Sequence, residues 1–187
     1  MLQLDACLEI AKSAASLAGA YIKDQQNKDL EILLNEGRDI KLQIDVDAEK
    51  IIKDHLIAKS SFPILAEESG ASNELNEFYW VVDPLDGTSN FLRNIPISCV
   101  SIALMKDIDP ILGVIFDFNN DDLYFAHHES KAYLNDSRLS VSSTERKSDA
   151  TLVTGIPAKD NYSDEEFGKM ISDFQAWKKI RMIGSAA

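Results

Sequence analysis

The chain has 187 residues, and 19 Lys and Arg against 31 Asp and Glu give a formal net charge of −12. Hydrophobic residues at 45% and charged residues at 27% exclude a disordered chain, and the length is enough to bury a core. The acid excess argues against binding a nucleic-acid polymer, and no apolar run is long enough for a membrane partner or span.

Leu4, Leu8, Ala11, Ala15, Ala18 and Ile22 recur at steps of four and three, so residues 1–23 read as an amphipathic helix. Residues 24–28 are polar and break the pattern. Residues 31–34 and 39–44 read as short strands about a turn at Glu36-Gly37-Arg38. A second helix is expected from about Val46 to Lys59, burying Ala48, Ile51, Ile52, His55 and Leu56 and ending at Phe62-Pro63. Ile64-Leu65 is a short buried strand, followed by Ala66-Glu67-Glu68-Ser69-Gly70 and a polar loop over residues 71–77. Tyr79 to Val82 forms another, leading into Asp83-Pro84-Leu85-Asp86-Gly87-Thr88.

From Ile97 to Asn135 the texture becomes that of an antiparallel meander, with strands near residues 100–104, 111–118, 122–126 and 131–134. Asn135-Asp136 has the chemistry of a hairpin turn. Leu152 to Thr154 is a further strand. Asp164 to Ala176 is a helix, with Ser163 and Glu166 as a capping box, and Trp177 to Met182 is a last strand. The order is that of an α+β fold passing into α/β. Gly184-Ser185-Ala186-Ala187 reads as the start of a helix, so the β-α-β unit is expected to be cut short. Cys7 and Cys99 are too few for a disulfide framework or a zinc site and read as buried thiols. With no signal pattern at the N-terminus, a cytoplasmic location is expected.

Three acidic clusters open a helix or follow a short strand: Asp45, Glu67 with Glu68, and Asp83 with Asp86. Carboxylates at strand ends converge on one edge of a sheet, and magnesium prefers such oxygen ligands. Pro84 keeps Asp83 out of helix, which lets two acids three residues apart face one ion with the Leu85 carbonyl between them. Gly87 permits close backbone approach, and Thr88-Ser89-Asn90 resemble a first helical turn whose N–H groups hold a phosphate. The plainer reading is a turn with a helix cap, and for Asp86 alone it is the better one. For the whole string after a buried strand, the functional reading is preferred. Taken alone, Asp45 would be an N-cap and Glu67-Glu68 an exposed acidic loop. His127-His128 reads as a solvated loop pair, and Arg93 reads as a surface side chain more readily than as a phosphate contact. There is no P-loop and no dinucleotide fingerprint, and two residues separate Asp83 from Asp86, not the one of haloacid-dehalogenase-type phosphatases.

These clusters resemble the inositol monophosphatase family of magnesium-dependent, lithium-sensitive phosphatases. The matching residues are Asp45 with Glu49, Ala66-Glu67-Glu68-Ser69, the run from Trp80 to Phe91, and the run from Ile180 to Ala187. The resemblance implies a layered α-β-α-β sugar-phosphatase-like fold. An N-terminal α+β subdomain over residues 1–145 would carry the metal site. Residues 146–187 would begin a C-terminal α/β subdomain that is incomplete.

The resemblance also implies the site roles. Glu67, Asp83 and the Leu85 carbonyl would hold one Mg2+, Asp83 and Asp86 a second, and a weaker third ion would sit near Glu67. Asp45 and Thr88 would orient and deprotonate the attacking water. Gly87 and Thr88 would hold the phosphate, and Ala187 would lie near the substrate's hydroxyl groups. The substrate would be a small phosphate monoester: an inositol phosphate, a sugar phosphate or 3'-phosphoadenosine 5'-phosphate. A homodimer is implied for the full-length protein. Two departures stand out. Lys41-Leu42 occupies the place of the family's Val-Thr, which is expected to alter the loop over the metal site. The Trp-Asp motif that completes the second metal site in the family is not in the chain. The alternative is a non-catalytic metal-binding fragment or regulatory relative.

Overall fold

The computed structural model describes residues 2–26, 28–36, 39–156 and 162–185. Helix α1, Leu4–Gln25, buries Leu8, Ala11, Ala15, Ala18 and Ile22 as the periodicity predicts, together with Cys7, Ala14 and Gly19. The small residues let α1 lie close on the sheet: a Cβ at Gly19 would fall 2.4 Å from the ring of Phe116.

Strands β1, Ile32–Glu36, and β2, Asp39–Leu42, pair antiparallel; their expected turn at Gly37-Arg38 lies outside the described residues. Helix α2 spans Gln43–Lys59 and so begins three residues before the expected Val46; Ile44 is helical, not strand. The cause is Asp45, which accepts the Leu42 N–H at 2.7 Å from the third helical position. That satisfies a donor at the helix start even though Leu42, as N-cap, has no acceptor side chain. Tyr21 donates to Asp47 Oδ2 at 2.8 Å and ties α1 to α2.

An eight-stranded sheet carries the site. Its strands are β3 Ile64–Ala66, β4 Gly70–Ala71, β5 Phe78–Asp86, β6 Cys99–Lys106, β7 Asp109–Asp117, β8 Asp122–His127, β9 Tyr133–Leu134 and β10 Ser137–Arg138. Their spatial order is β10-β9-β8-β7-β6-β5-β3-β4. The meander from β5 to β10 is antiparallel throughout, as its alternation predicts, and Asn135 turns the last hairpin at φ 50°. β3 and β5 run parallel. β4 lies where a polar loop was expected; it pairs antiparallel with β3 over two residues, too short to show as a hydrophobic pattern. Helices α1 and α2 pack on this sheet, and the core runs from Ala11 and Ile52 to Trp80, Ile102, Leu104 and Phe118. Cys7 and Cys99 are buried thiols, as expected.

His127 departs from expectation. It is buried at the end of β8, accepts the Glu129 N–H at Nδ1 and faces Asp5 through Nε2 at 3.0 Å, while His128 is exposed. The strand carries one residue further than its apolar pattern and draws His127 inward.

The first compact unit ends at Ser140 and a second begins at Val141. In the second, β11, Thr151–Thr154, and β12, Lys179–Met182, are parallel neighbours in register, joined through helix α4, Asp164–Phe174. Ser163 Oγ accepts the Glu166 N–H and Glu166 accepts the Ser163 N–H, the capping box expected from sequence. Phe167 and Ile171 on α4 are exposed. No helix among the described residues is long and apolar enough to cross a membrane.

Candidate metal and phosphate site

The parallel pairing of β3 and β5 puts their C-terminal ends side by side, with Ala66 opposite Val82. Glu67 continues that ladder, donating its N–H to the Val82 carbonyl at 3.1 Å. Glu67 and Asp83 therefore emerge next to each other, and each carboxyl lies in the other's field.

β5 runs four residues beyond the expected Val82 because Asp83 and Asp86 still pair with Ser101 and Cys99 of β6. Two residues separate the acids on β5 and one separates their partners on β6, so the strand bulges at Pro84-Leu85. Pro84 has no N–H to offer the ladder, which is why the bulge falls there. The freed Leu85 N–H donates to Asp83 Oδ1 at 3.1 Å, and the Leu85 carbonyl accepts from Thr88 Oγ1 at 3.0 Å.

Gly87 then takes φ 89° and caps the short helix α3, Thr88–Leu92, its carbonyl accepting from Asn90 and Phe91. A Cβ at this position would lie 2.7 Å from the Ile97 carbonyl oxygen. Gly87→Ala thus meets both the left-handed penalty and a backbone clash, and should lower unfolding free energy by about 2 kcal/mol or more. Urea denaturation measures it; an unchanged midpoint would contradict the described turn. Arg93 donates to the Ser89 carbonyl and hydroxyl within the same turn, an exposed local contact.

The electrostatics of the cluster are those of crowded acids. Burial, then Glu67, then Asp86 push the Asp83 carboxyl up to about 8. Burial, with Glu68 and Glu67 adding to it, pushes Asp45 up to about 7 against the pull of the Leu42 N–H and of Lys41. Cys99 is pushed up to about 12 by burial and by Asp86, Asp83 and Asp117, and its thiol donates weakly to Asp86 at 3.9 Å.

The Asp45 shift has a consequence for stability. A carboxyl raised in the folded chain stays protonated there over a range, about pH 4 to 7, in which the unfolded chain has released its proton. Stability falls as pH rises through that window. Asp45→Asn, in the presence of a chelator, should therefore melt higher than wild type at pH 7.5 and converge with it near pH 4. Parallel melting curves across that range would remove the buried charge from the account.

The donor set fits a hard divalent cation. Asp83, Asp86 and Glu67 offer carboxylate oxygens beside the Leu85 carbonyl, and Asp45 Oδ1 is buried with no hydrogen-bond partner among the described residues. The set is gathered but not closed: among the described residues, no three His, Cys, Asp or Glu side chains are tight enough to grip an ion as they stand. Thr88 and Asp45 are each hydrogen-bonded to other groups, Thr88 to Leu85 and Asp45 to Leu42. Ala187 lies outside the described residues.

The sequence resemblance named Glu49 without giving it a role, and sequence reasoning missed Lys53; together they support the loop. Glu49 is buried on α2 and accepts the Glu68 N–H at 2.7 Å; Lys53, one turn on, donates to Ser69 Oγ at 2.6 Å. The four-residue step from Glu49 to Lys53 was the available signal.

The fold agrees with the comparisons. The model of the inositol monophosphatase family matches residues 3–187. An inositol-1-monophosphatase of Synechocystis is 39% identical over 192 residues, covering 98% of this chain and 66% of that protein. A protein of Pasteurella multocida named Nus factor SuhB is 34% identical over 187 residues, covering 96% of the chain and 69% of its own length. The chain thus spans about two thirds of these relatives. The crystal structure of extragenic suppressor protein suhB from Bartonella henselae superposes with a TM-score of 0.86 at 34% identity, covering 97% of this chain and 72% of that one. The chain belongs to the inositol monophosphatase family.

Proposed function

We propose that the chain is a magnesium-dependent phosphomonoester hydrolase acting on a small phosphorylated polyol: an inositol phosphate, a sugar phosphate or 3'-phosphoadenosine 5'-phosphate. The observation that carries this is the junction of β3 and β5, where parallel pairing brings Glu67 and Asp83 out side by side and a proline bulge returns Asp86 to the strand just after them.

Glu67, Asp83 and the Leu85 carbonyl would hold one Mg2+, Asp83 with Asp86 a second, and a third would sit near Glu67. Bound magnesium supplies charge neutralisation for the phosphate and makes a water easier to deprotonate. The chain's own residues do the rest. Asp45, whose Oδ1 is buried with no hydrogen-bond partner among the described residues, takes a proton from the attacking water. Thr88 donates to Leu85 and keeps oxygen lone pairs with which to orient that water. The N–H groups opening α3 at Gly87 and Thr88 face the phosphate. Water oxygen bonds to phosphorus, the bond to the polyol oxygen breaks, that oxygen takes up a proton from solvent and leaves as the alcohol, and inorganic phosphate is released. A cytoplasmic location and a homodimer of the full-length protein go with this reading.

A second reading is a non-catalytic metal-binding or regulatory relative. It is favoured by one observation, the similarity to proteins named Nus factor SuhB. Phosphate release from the three substrate classes, with and without Mg2+ and Li+, separates the two. Release that needs Mg2+ and falls with Li+ supports the hydrolase. Cation binding with no release from any substrate supports the regulatory relative.

A further inference from the structure

The crowded acids face an ammonium that belongs to the chain itself. Lys41, near the end of β2, is ion-paired with Glu68, the residue directly after Glu67. The pair is well shielded, with side-chain exposures of 31% for Lys41 and 13% for Glu68. Glu68 cannot swing away easily, because its own N–H is held by Glu49. Glu49 in turn lies 3.7 Å from Lys53, whose ammonium donates to Ser69. Three points along β2 and α2 thus grip residues 68 and 69, and two of the three bring a positive charge.

The two lysines differ in what they face. Lys53 serves Glu49 and Ser69. The field of Lys41 reaches further, to Glu49 and to Asp45, where it opposes Glu67 and Glu68. A divalent cation on the Glu67 side of the cluster would meet the same field with the opposite result. Like charges a few ångström apart repel strongly in partly shielded surroundings.

We propose that Lys41 is a tethered counter-cation of this site: it neutralises Glu68, steadies the acidic cluster by itself, and raises the concentration of divalent cation needed to fill the Glu67 side. The inference rests on the metal-site reading given above. It makes Lys41 a positioning and charge-setting residue, not a catalytic one.

Mn2+ alone is the probe, titrated calorimetrically, with melting followed in chelator and in Mn2+. Lys41→Met should bind Mn2+ roughly tenfold more tightly than wild type, as removal of one like charge predicts. It should also melt lower in chelator, and the deficit should close as Mn2+ saturates. Lys41→Arg should match wild type in both. Glu68→Gln, which leaves the ammonium unpaired beside the site, should bind Mn2+ several-fold more weakly. A purely structural Lys41 would lower affinity and stability together in Lys41→Met. That result, or unchanged Mn2+ binding in Lys41→Met and Glu68→Gln while Asp83→Asn loses it, overturns the inference and leaves the metal site standing. No Mn2+ binding by wild type or by any variant overturns both.

Discussion

Asp83→Asn should weaken Mg2+ or Mn2+ binding by roughly 100-fold or more, a larger loss than any other substitution at the site. Asp83 faces both Glu67 and Asp86, which suits it to bridge two ions. Asn keeps the shape and can still accept the Leu85 N–H at its oxygen, so the bulge should survive. What is lost is the negative charge, and with it the pull on a hard cation. Mg2+-dependent phosphate release should fall to background in the same variant. Removing the charge also removes like-charge crowding, so the chelated variant should melt no lower than wild type. Calorimetric titration with Mn2+ and a malachite green phosphate assay check the two halves. Near wild-type binding by Asp83→Asn would refute the assignment of this residue as the central ligand.

Trp80→Ala should produce the largest loss of stability, about 3–5 kcal/mol, as full truncation of a buried aromatic side chain does. Trp80 is completely buried in β5, with Phe62 tilted against it at 6.5 Å between ring centroids. Its Nε1 donates to Ser60 Oγ at 3.1 Å, fastening the strand to the end of α2. Ala would leave a cavity beside Phe62, where the end of α2 meets the sheet. Trp80→Phe should cost less, because Ser60 Oγ still accepts the Phe62 N–H. Urea unfolding should show the midpoint drop for Ala and a smaller one for Phe. The effect should reach the site as well, because Trp80 lies three residues before Asp83 on the same strand. Equal losses for Ala and Phe would mean that the hydrogen bond, not the packed volume, holds this junction.

Much of the fold was legible before any coordinates. The four-and-three spacing of Leu4 to Ile22 marks α1 because a helix repeats every 3.6 residues, and the alternation from residue 100 onward marks the meander because a strand repeats every two. The Ser163–Glu166 capping box is purely local and reads directly. Misreadings fall where long-range pairing overrules local pattern. Asp83 to Asp86 looks like a turn in sequence, yet β6 holds it as bulged strand. Ile44 looks like strand, yet the Asp45 carboxylate starts the helix before it. His127 looks solvated, yet the last residue of β8 turns inward onto Asp5.

The candidate site divides in the same way. Residue types and spacing are properties of the chain, so the sequence alone determined which acids could serve: Asp45, Glu67, Asp83 and Asp86, with Gly87 and Thr88 after them. Their meeting is not a property of spacing. It takes the parallel register of β3 on β5 to set Glu67 against Asp83, and the proline bulge to bring Asp86 beside them. It takes the packing of α2, and of β2 before it, to set Glu49, Lys53 and Lys41 around residues 68 and 69. Only tertiary structure decides these things, because charges 16 residues apart along the chain, as Glu67 and Asp83, or 27 apart, as Lys41 and Glu68, interact through distance in space and through the water that folding removes between them.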